Sequence, residues 1–209
     1  MARLNREVVI TEKLDGTNSQ IVIAPVPAGF DPEHPENAGV WLRNGFTIRA
    51  GSKNRWIAPG KTSDNYGFAQ WVLENAIELL KLGPGRHFGE WWGAGIQRNY
   101  GLKEKRFSLF NVHRWFASSD EGFPGIYTNS EETDKVAGPN CCHVVPTLYR
   151  GKFSTDTIGV VLDDLGVEGS VASPGFMQPE GIVVYHTAAN FCFKVTLEND
   201  ESPKSLLTR

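Results

Sequence analysis

The sequence predicts an α+β domain in which mostly antiparallel β-sheets carry flanking helices. Three observations lead there. Short β-type runs recur along all 209 residues, several of them bounded by tight-turn residues. Helical stripes occur in only two segments. The 22 glycines and 12 prolines call for more turns and loops than a helical bundle holds. With no internal repeat, low-complexity tract or interdomain linker, residues 1–209 are expected to form a single domain.

Residues 7–10 and 19–26 read as β-runs on either side of Lys13-Leu14-Asp15-Gly16. Taken alone, that stretch is a hairpin turn after an edge strand, since Asp-Gly tolerates positive φ. Residues 27–38 contain three prolines and form a surface loop or a long hairpin tip. Val40–Arg43 and Phe46–Arg49 flank Asn44-Gly45, the strongest short hairpin signal in the chain. A polar, basic loop with Lys53, Arg55 and Lys61 fills residues 50–65. A helix is expected over 66–81, where Phe68, Trp71, Val72, Leu79 and Leu80 share a stripe. Asp64 or Asn65 would cap it, and Gly83-Pro84-Gly85 would end it. Strands are expected at 87–92 and 107–116, separated by a Gly-rich turn at 93–95 and a basic stretch over 98–106. After polar turns at 117–140 come a strand at 143–149 and a helix at 155–165 with Gly166 past its end. Strands at 181–185 and 190–196 precede a polar tail.

A net charge of -3 gives no global attraction to nucleic acid or to an anionic membrane, so any phosphate-binding surface must be local. An odd count of three cysteines, two of them adjacent, makes no disulfide framework, which favours a reducing compartment. Cys141, Cys142, His143 and Cys192 lack the C-x-x-C spacing of a zinc site. The charged N-terminus does not read as a secretory signal, and no run approaches the roughly 18 apolar residues of a membrane span. A soluble, cytoplasmic protein is expected.

Chemistry concentrates at strand ends. A lysine is a nucleophile only when neutral, which requires burial or neighbouring cations, so Lys13 matters only if companions exist. Arg49 ends a hairpin strand, Glu90 interrupts the apolar run Phe88–Trp92, Glu180 directly precedes Gly-Ile-Val-Val-Tyr, and Lys194 lies inside Phe-Cys-Phe-Lys-Val-Thr. Singly, each is an ordinary solvated charge. As a set of two lysines, an arginine and carboxylates, they suit a polyphosphate with a divalent metal.

These stretches resemble, in order, the motifs of the covalent lysine nucleotidyltransferases, the superfamily of ATP-dependent ligases and mRNA capping enzymes. The resemblance is greatest to RNA ligases of the phage RNA ligase 2 type. Glu-Lys-Leu-Asp-Gly-Thr-Asn at 12–18 is similar to the motif whose lysine takes AMP, and Ile-Arg-Ala-Gly-Ser at 48–52 to that of an essential arginine. Phe-Gly-Glu-Trp-Trp-Gly at 88–93 and Phe-Ser-Leu-Phe-Asn-Val at 107–112 resemble the third motif and the aromatic strand after it. Pro-Glu-Gly-Ile-Val-Val at 179–184 and Phe-Lys-Val at 193–195 resemble the fourth and fifth.

The resemblance implies an ATP-grasp-like nucleotidyltransferase domain using ATP and Mg2+, with Mn2+ as a substitute. Lys13 would attack the α-phosphate and become lysyl-AMP. AMP would then pass to a 5′-phosphate end, and a 3′-hydroxyl would displace it. Glu90 would bind ribose, Phe110 rather than Phe107 would stack on adenine, Glu180 would position the metal, and Lys194 would contact the α-phosphate. Arg49 would meet ribose or the phosphate of a nucleic-acid end, and Glu12, Asp15 and Gly16 would complete the nucleotide-binding set. The implied partner is RNA, with a nicked duplex among the options, in a phage or bacterial setting by analogy.

Two departures stand out. The fifth motif usually carries a second lysine where this chain has Thr196, and Lys204 is a candidate replacement. Only 12 residues precede Lys13 and 15 follow Lys194, so neither an OB domain nor a helical C-terminal domain is expected, and a partner protein is the implied substitute. The cations of 49–61 and 98–106 are candidates for tracking phosphates, or are simply solvated loops. A minimal DNA ligase, and a nucleotide- or end-binding module without turnover, are the alternative functions.

Overall fold

A computed structural model describes residues 6–117, 126–128 and 136–198. In chain order the first strands are β1 (Glu7–Lys13), β2 (Thr17–Pro25), β3 (Val40–Arg43) and β4 (Phe46–Ser52). Helices α1 (Phe68–Glu74) and α2 (Ala76–Leu79) precede β5 (Gly85–Gly93), β6 (Lys105–Leu109), β7 (Trp115–Ala117) and β8 (Ile126–Thr128). Then come β9 (Cys142–Val144), β10 (Thr147–Lys152), α3 (Thr155–Glu168), β11 (Gly181–His186) and β12 (Phe191–Thr196). The expected α+β class with mostly antiparallel sheets is what forms; β6 and β9 make a parallel pair.

The chain divides into two units. The first takes the described residues up to Asp15, those of 93–103 and those from Val145 onward. Its four-stranded sheet has the order β10-β1-β11-β12. Alternation along β1 puts Val8 and Ile10 on the face where Ile182, Val184 and Leu165 of α3 form the core. The Ser154 hydroxyl accepts the Thr157 N–H and caps α3. The helix runs through Gly166 and ends at Gly169, whose φ of +87° does what was expected of Gly166.

The second unit holds the six-stranded sheet β3-β4-β2-β5-β6-β9 and the small pair β7-β8. Ile21, Ile23, Ile48 and Ala50 are buried on one sheet face. The ring of Phe68 packs 5.4 Å from Trp91 and 5.1 Å from Phe107, so the α1 aromatics serve the core.

Several expected elements divide. The helix foreseen over 66–81 breaks at Asn75, whose side chain donates to the Trp71 carbonyl and so competes with the helical ladder. Asp64 does cap α1, its carboxylate accepting the Ala69 and Gln70 N–H groups. The strand foreseen over 107–116 ends at Leu109, because the Asn111 side chain accepts the N–H groups of His113 and Arg114 and turns the chain into β7. That over 143–149 is cut at Val145-Pro146, and its halves join different sheets. The stretch around Asp15-Gly16 is no hairpin: β1 is a central strand of one sheet, and β2 pairs with β4 and β5 in the other. Among the described residues no helix is long and apolar enough to cross a membrane.

Candidate active site

Lys13 is the last residue of β1, and strand register fixes its neighbours in the first unit. Lys13 pairs with Gly181, and Gly181 with Thr196, so the three form one row across β1, β11 and β12. Two residues back, Thr11, Val183 and Lys194 form another row on the same face. Lys13 and Lys194 therefore project from the same side of one sheet. A Cβ at Gly181 would lie 2.2 Å from the Val195 carbonyl oxygen, at a φ of +150°. Glycine at this point keeps β11 and β12 in register beside the lysine. Glu180 is buried, and its carboxylate forms an ion pair with Lys13 Nζ.

The turn after Lys13 is held from several sides. Glu12 points to the opposite, core face and is 1% exposed. Its carboxylate accepts the Ser170 hydroxyl at 2.5 Å and the Ala172 N–H at 2.8 Å. Burial raises the Glu12 pKa, and those hydrogen bonds oppose the rise. Asp15 accepts from Arg98 Nε at 3.2 Å, and its own N–H donates to the Tyr100 hydroxyl at 2.9 Å. Arg98 also donates to the Gln178 carbonyl at 3.1 Å, tying the Asp15 turn to the segment before Glu180. Tyr100 is buried at a φ of +51°, an uncommon conformation for a bulky residue, and Ser173 donates to its carbonyl. Burial pushes the Tyr100 hydroxyl pKa up, which keeps it protonated beside these carboxylates.

Glu90, Arg49, Phe110 and Gly16 belong to the second unit. The Glu90 carboxylate accepts the Gly16 N–H at 3.2 Å. A Cβ at Gly16 would lie 2.4 Å from the Trp91 carbonyl oxygen, so only glycine lets the chain pass this close to β5. Phe110 donates its N–H to the Phe88 carbonyl and is 38% exposed, whereas Phe107 is fully buried in the aromatic core. The Arg49 guanidinium lies 4.6 Å from the centre of the Trp56 ring, and burial lowers its pKa.

Sequence reading found the lysines and carboxylates but missed Arg98 and Tyr100 as supports of the Asp15 turn, and Ser170 and Ser173 behind them. The basic stretch was legible only as charge. Three of its four cations are engaged: Arg98 with Asp15, Lys105 with the Tyr66 carbonyl and Arg106 with Glu104. Lys204 lies outside the described residues.

Comparison with known proteins bears on this arrangement. No curated protein matches the chain. Solved structures of the Naegleria gruberi RNA ligase share its fold. An arginine-to-alanine mutant of that ligase with ATP and Mn has a TM-score of 0.54 at 17% identity, over 94% of this chain and 51% of its own. A lysine-to-alanine mutant with ATP and Mn has a TM-score of 0.54 at 16% identity, over 93% of this chain and 50% of its own. The ligase with PPi has a TM-score of 0.53 at 16% identity, over the same shares. The chain thus spans about half the length of these solved ligases. The RNA ligase family model matches residues 6–196, from the strand that bears Lys13 to the strand that bears Lys194, and the chain belongs to that family.

Proposed function

We propose that this chain is the adenylyltransferase domain of an ATP-dependent RNA ligase of the RNA ligase 2 type, with Lys13 as the nucleophile. The observation that carries the reading is the pairing of Lys13 with Glu180 on the sheet face shared with Lys194, inside a family match covering both strands. Once deprotonated, Lys13 Nζ bonds to the α-phosphorus of ATP. The bond from that phosphorus to the bridging oxygen breaks, pyrophosphate leaves with the electron pair, and Nζ sheds a second proton to give lysyl-AMP. Lys194 meets the charge on the α-phosphate oxygens. Glu90 receives the ribose, with Phe110 as the open aromatic for adenine, and Arg49 serves ribose or a phosphate end. Glu12, Asp15 and Gly16 hold the lysine turn in shape. AMP then passes to a 5′-phosphate, and a 3′-hydroxyl displaces it to join the ends.

Magnesium is commonly held by one or two carboxylates together with substrate phosphates. Glu180 fits that donor set, and among the described residues no cluster of three or more His, Cys, Asp or Glu offers a protein-only cage. When bound, the metal supplies neutralisation of phosphate charge.

Incubation with ATP labelled on the α-phosphate, plus magnesium, followed by a denaturing gel, tests the reading. A band at the mass of the chain that is lost in Lys13→Ala and discharged by pyrophosphate is the expected result. An unlabelled wild-type chain would contradict it and favour a binding role. Presenting the labelled protein with nicked RNA or nicked DNA then separates the RNA ligase from a minimal DNA ligase.

A further inference from the structure

We propose that the face of the six-stranded sheet bearing Arg49, Trp56, Arg86 and Phe88 is a stacking platform for an unpaired segment of RNA. The choice of RNA over DNA rests on the ligase reading above; the platform itself rests on four observations within the second unit.

Register puts the residues together. Arg49 on β4 pairs with Val22 on β2, which pairs with Arg86 on β5, so both arginines rise from one row on one face. Two residues along, Gly51, Gln20 and Phe88 make another row on the same face. Gly51 explains how a tryptophan comes to lie there. A Cβ at that position would meet Trp56 Cε3 at 3.1 Å and Gln20 Cγ at 2.9 Å, so the missing side chain is the space that seats the indole on the sheet.

The aromatics are open. Trp56 is 41% exposed and Phe88 43% exposed, although each stands on a sheet that buries its other face in a core. Cations interleave with them: the Arg86 guanidinium lies 5.7 Å from the Trp56 ring centre and 6.0 Å from that of Phe88, and Arg49 lies 4.6 Å from Trp56. Arg49 Nε is buried with no hydrogen-bond partner among the described residues, a donor kept out of water and left unspent. Ring faces for bases and guanidinium groups for phosphates, alternating within one patch, are the chemistry of single-strand binding, which needs no base-specific readout. A patch of this charge on a chain of net charge -3 also supplies the local phosphate affinity that the whole molecule lacks.

The test is fluorescence anisotropy of a labelled oligoriboadenylate of about ten nucleotides, titrated with the chain in the absence of ATP. The wild type is expected to bind. Trp56→Ala and Phe88→Ala should each weaken binding about tenfold, and Trp56→Phe should restore most of the loss. Arg86→Ala should weaken binding and lower the slope of log affinity against log salt by about 0.7. Duplex RNA of the same length, whose bases are already stacked, should bind more weakly and be indifferent to Trp56→Ala. All four variants should still take label from ATP if the wild type does, which shows that they fold. Wild-type failure to bind, unchanged affinity in Trp56→Ala and Arg86→Ala, or equal sensitivity of duplex and single strand would overturn the platform. Failure of the wild type to take label would sink the ligase reading and leave this binding comparison intact.

Discussion

The two units present their polar and aromatic side chains differently. In the first, the proposed nucleophile and the carboxylates around it are already engaged: Lys13 with Glu180, Glu12 with Ser170 and Ala172, and Asp15 with Arg98 and Tyr100. In the second, Trp56, Phe88 and Phe110 stand open, and the Arg49 Nε has no partner among the described residues. A closed hydrogen-bonded network fixes a reacting atom in place, which is what covalent chemistry needs. An open aromatic and cationic face leaves its interactions to the ligand. The contrast is between positioning and recognition, and substitutions in each unit should fail in different ways.

The largest effect is expected at Gly181→Ala. The added Cβ meets the Val195 carbonyl at a backbone conformation that L side chains rarely adopt, so urea denaturation should show a loss of about 3 kcal/mol. A variant as stable as the wild type would show that β11 and β12 give way easily and that the nucleophile's row is not tightly held.

Glu12→Gln comes next. Replacing the carboxylate by an amide sets an N–H group against the Ser170 or Ala172 donors, and should cost about 1–2 kcal/mol. It also carries a pH signature. Because burial raises the folded-state pKa of Glu12, the folded protein binds more protons than the unfolded chain between the unfolded and folded values. The Glu12 contribution is therefore fully present below the unfolded value and is lost as pH rises through the folded one. Stability measured from about pH 4.5 upward should fall less steeply in the variant than in the wild type.

Phe110→Ala probes the recognition side. Since the ring is half-open, unfolding should be little changed, while KM for ATP in lysyl-adenylate formation rises about tenfold. A loss of stability with KM unchanged would make Phe110 a structural residue and blur the contrast. The smallest effect is expected from Thr196→Lys, which adds a second cation to the Lys13 row across Gly181. Single-turnover adenylylation should quicken by a small factor; slower turnover would mean that like charge beside Lys13 hinders ATP binding.

The sequence made the strands, the α+β class and the charged residues at strand ends legible, because alternation and hairpin dipeptides are local signals. What it hid was set by long-range pairing. Lys13-Leu14-Asp15-Gly16 looks like a hairpin turn, yet β1 and β2 leave for different sheets, a choice made by β11 and β5 far down the chain. Alternation carries on past Leu109, but the side chain of Asn111 satisfies two backbone N–H groups and ends the strand. Of the candidate site, Lys13 was visible at the end of a β-run before Asp15-Gly16, Glu180 as a charge directly before an apolar strand, and Lys194 as a charge inside one. Arg98 was visible only as one cation among several, and Tyr100 gave no signal, because a positive φ and a hydroxyl aimed at the Asp15 N–H leave no mark in residue spacing.

The most direct test of the central claim is tandem mass spectrometry of the chain after incubation with ATP and magnesium, read peptide by peptide. AMP on the side chain of Lys13, and on no other lysine, is the predicted result. AMP on Lys194 or another residue, or an unmodified chain, would contradict it.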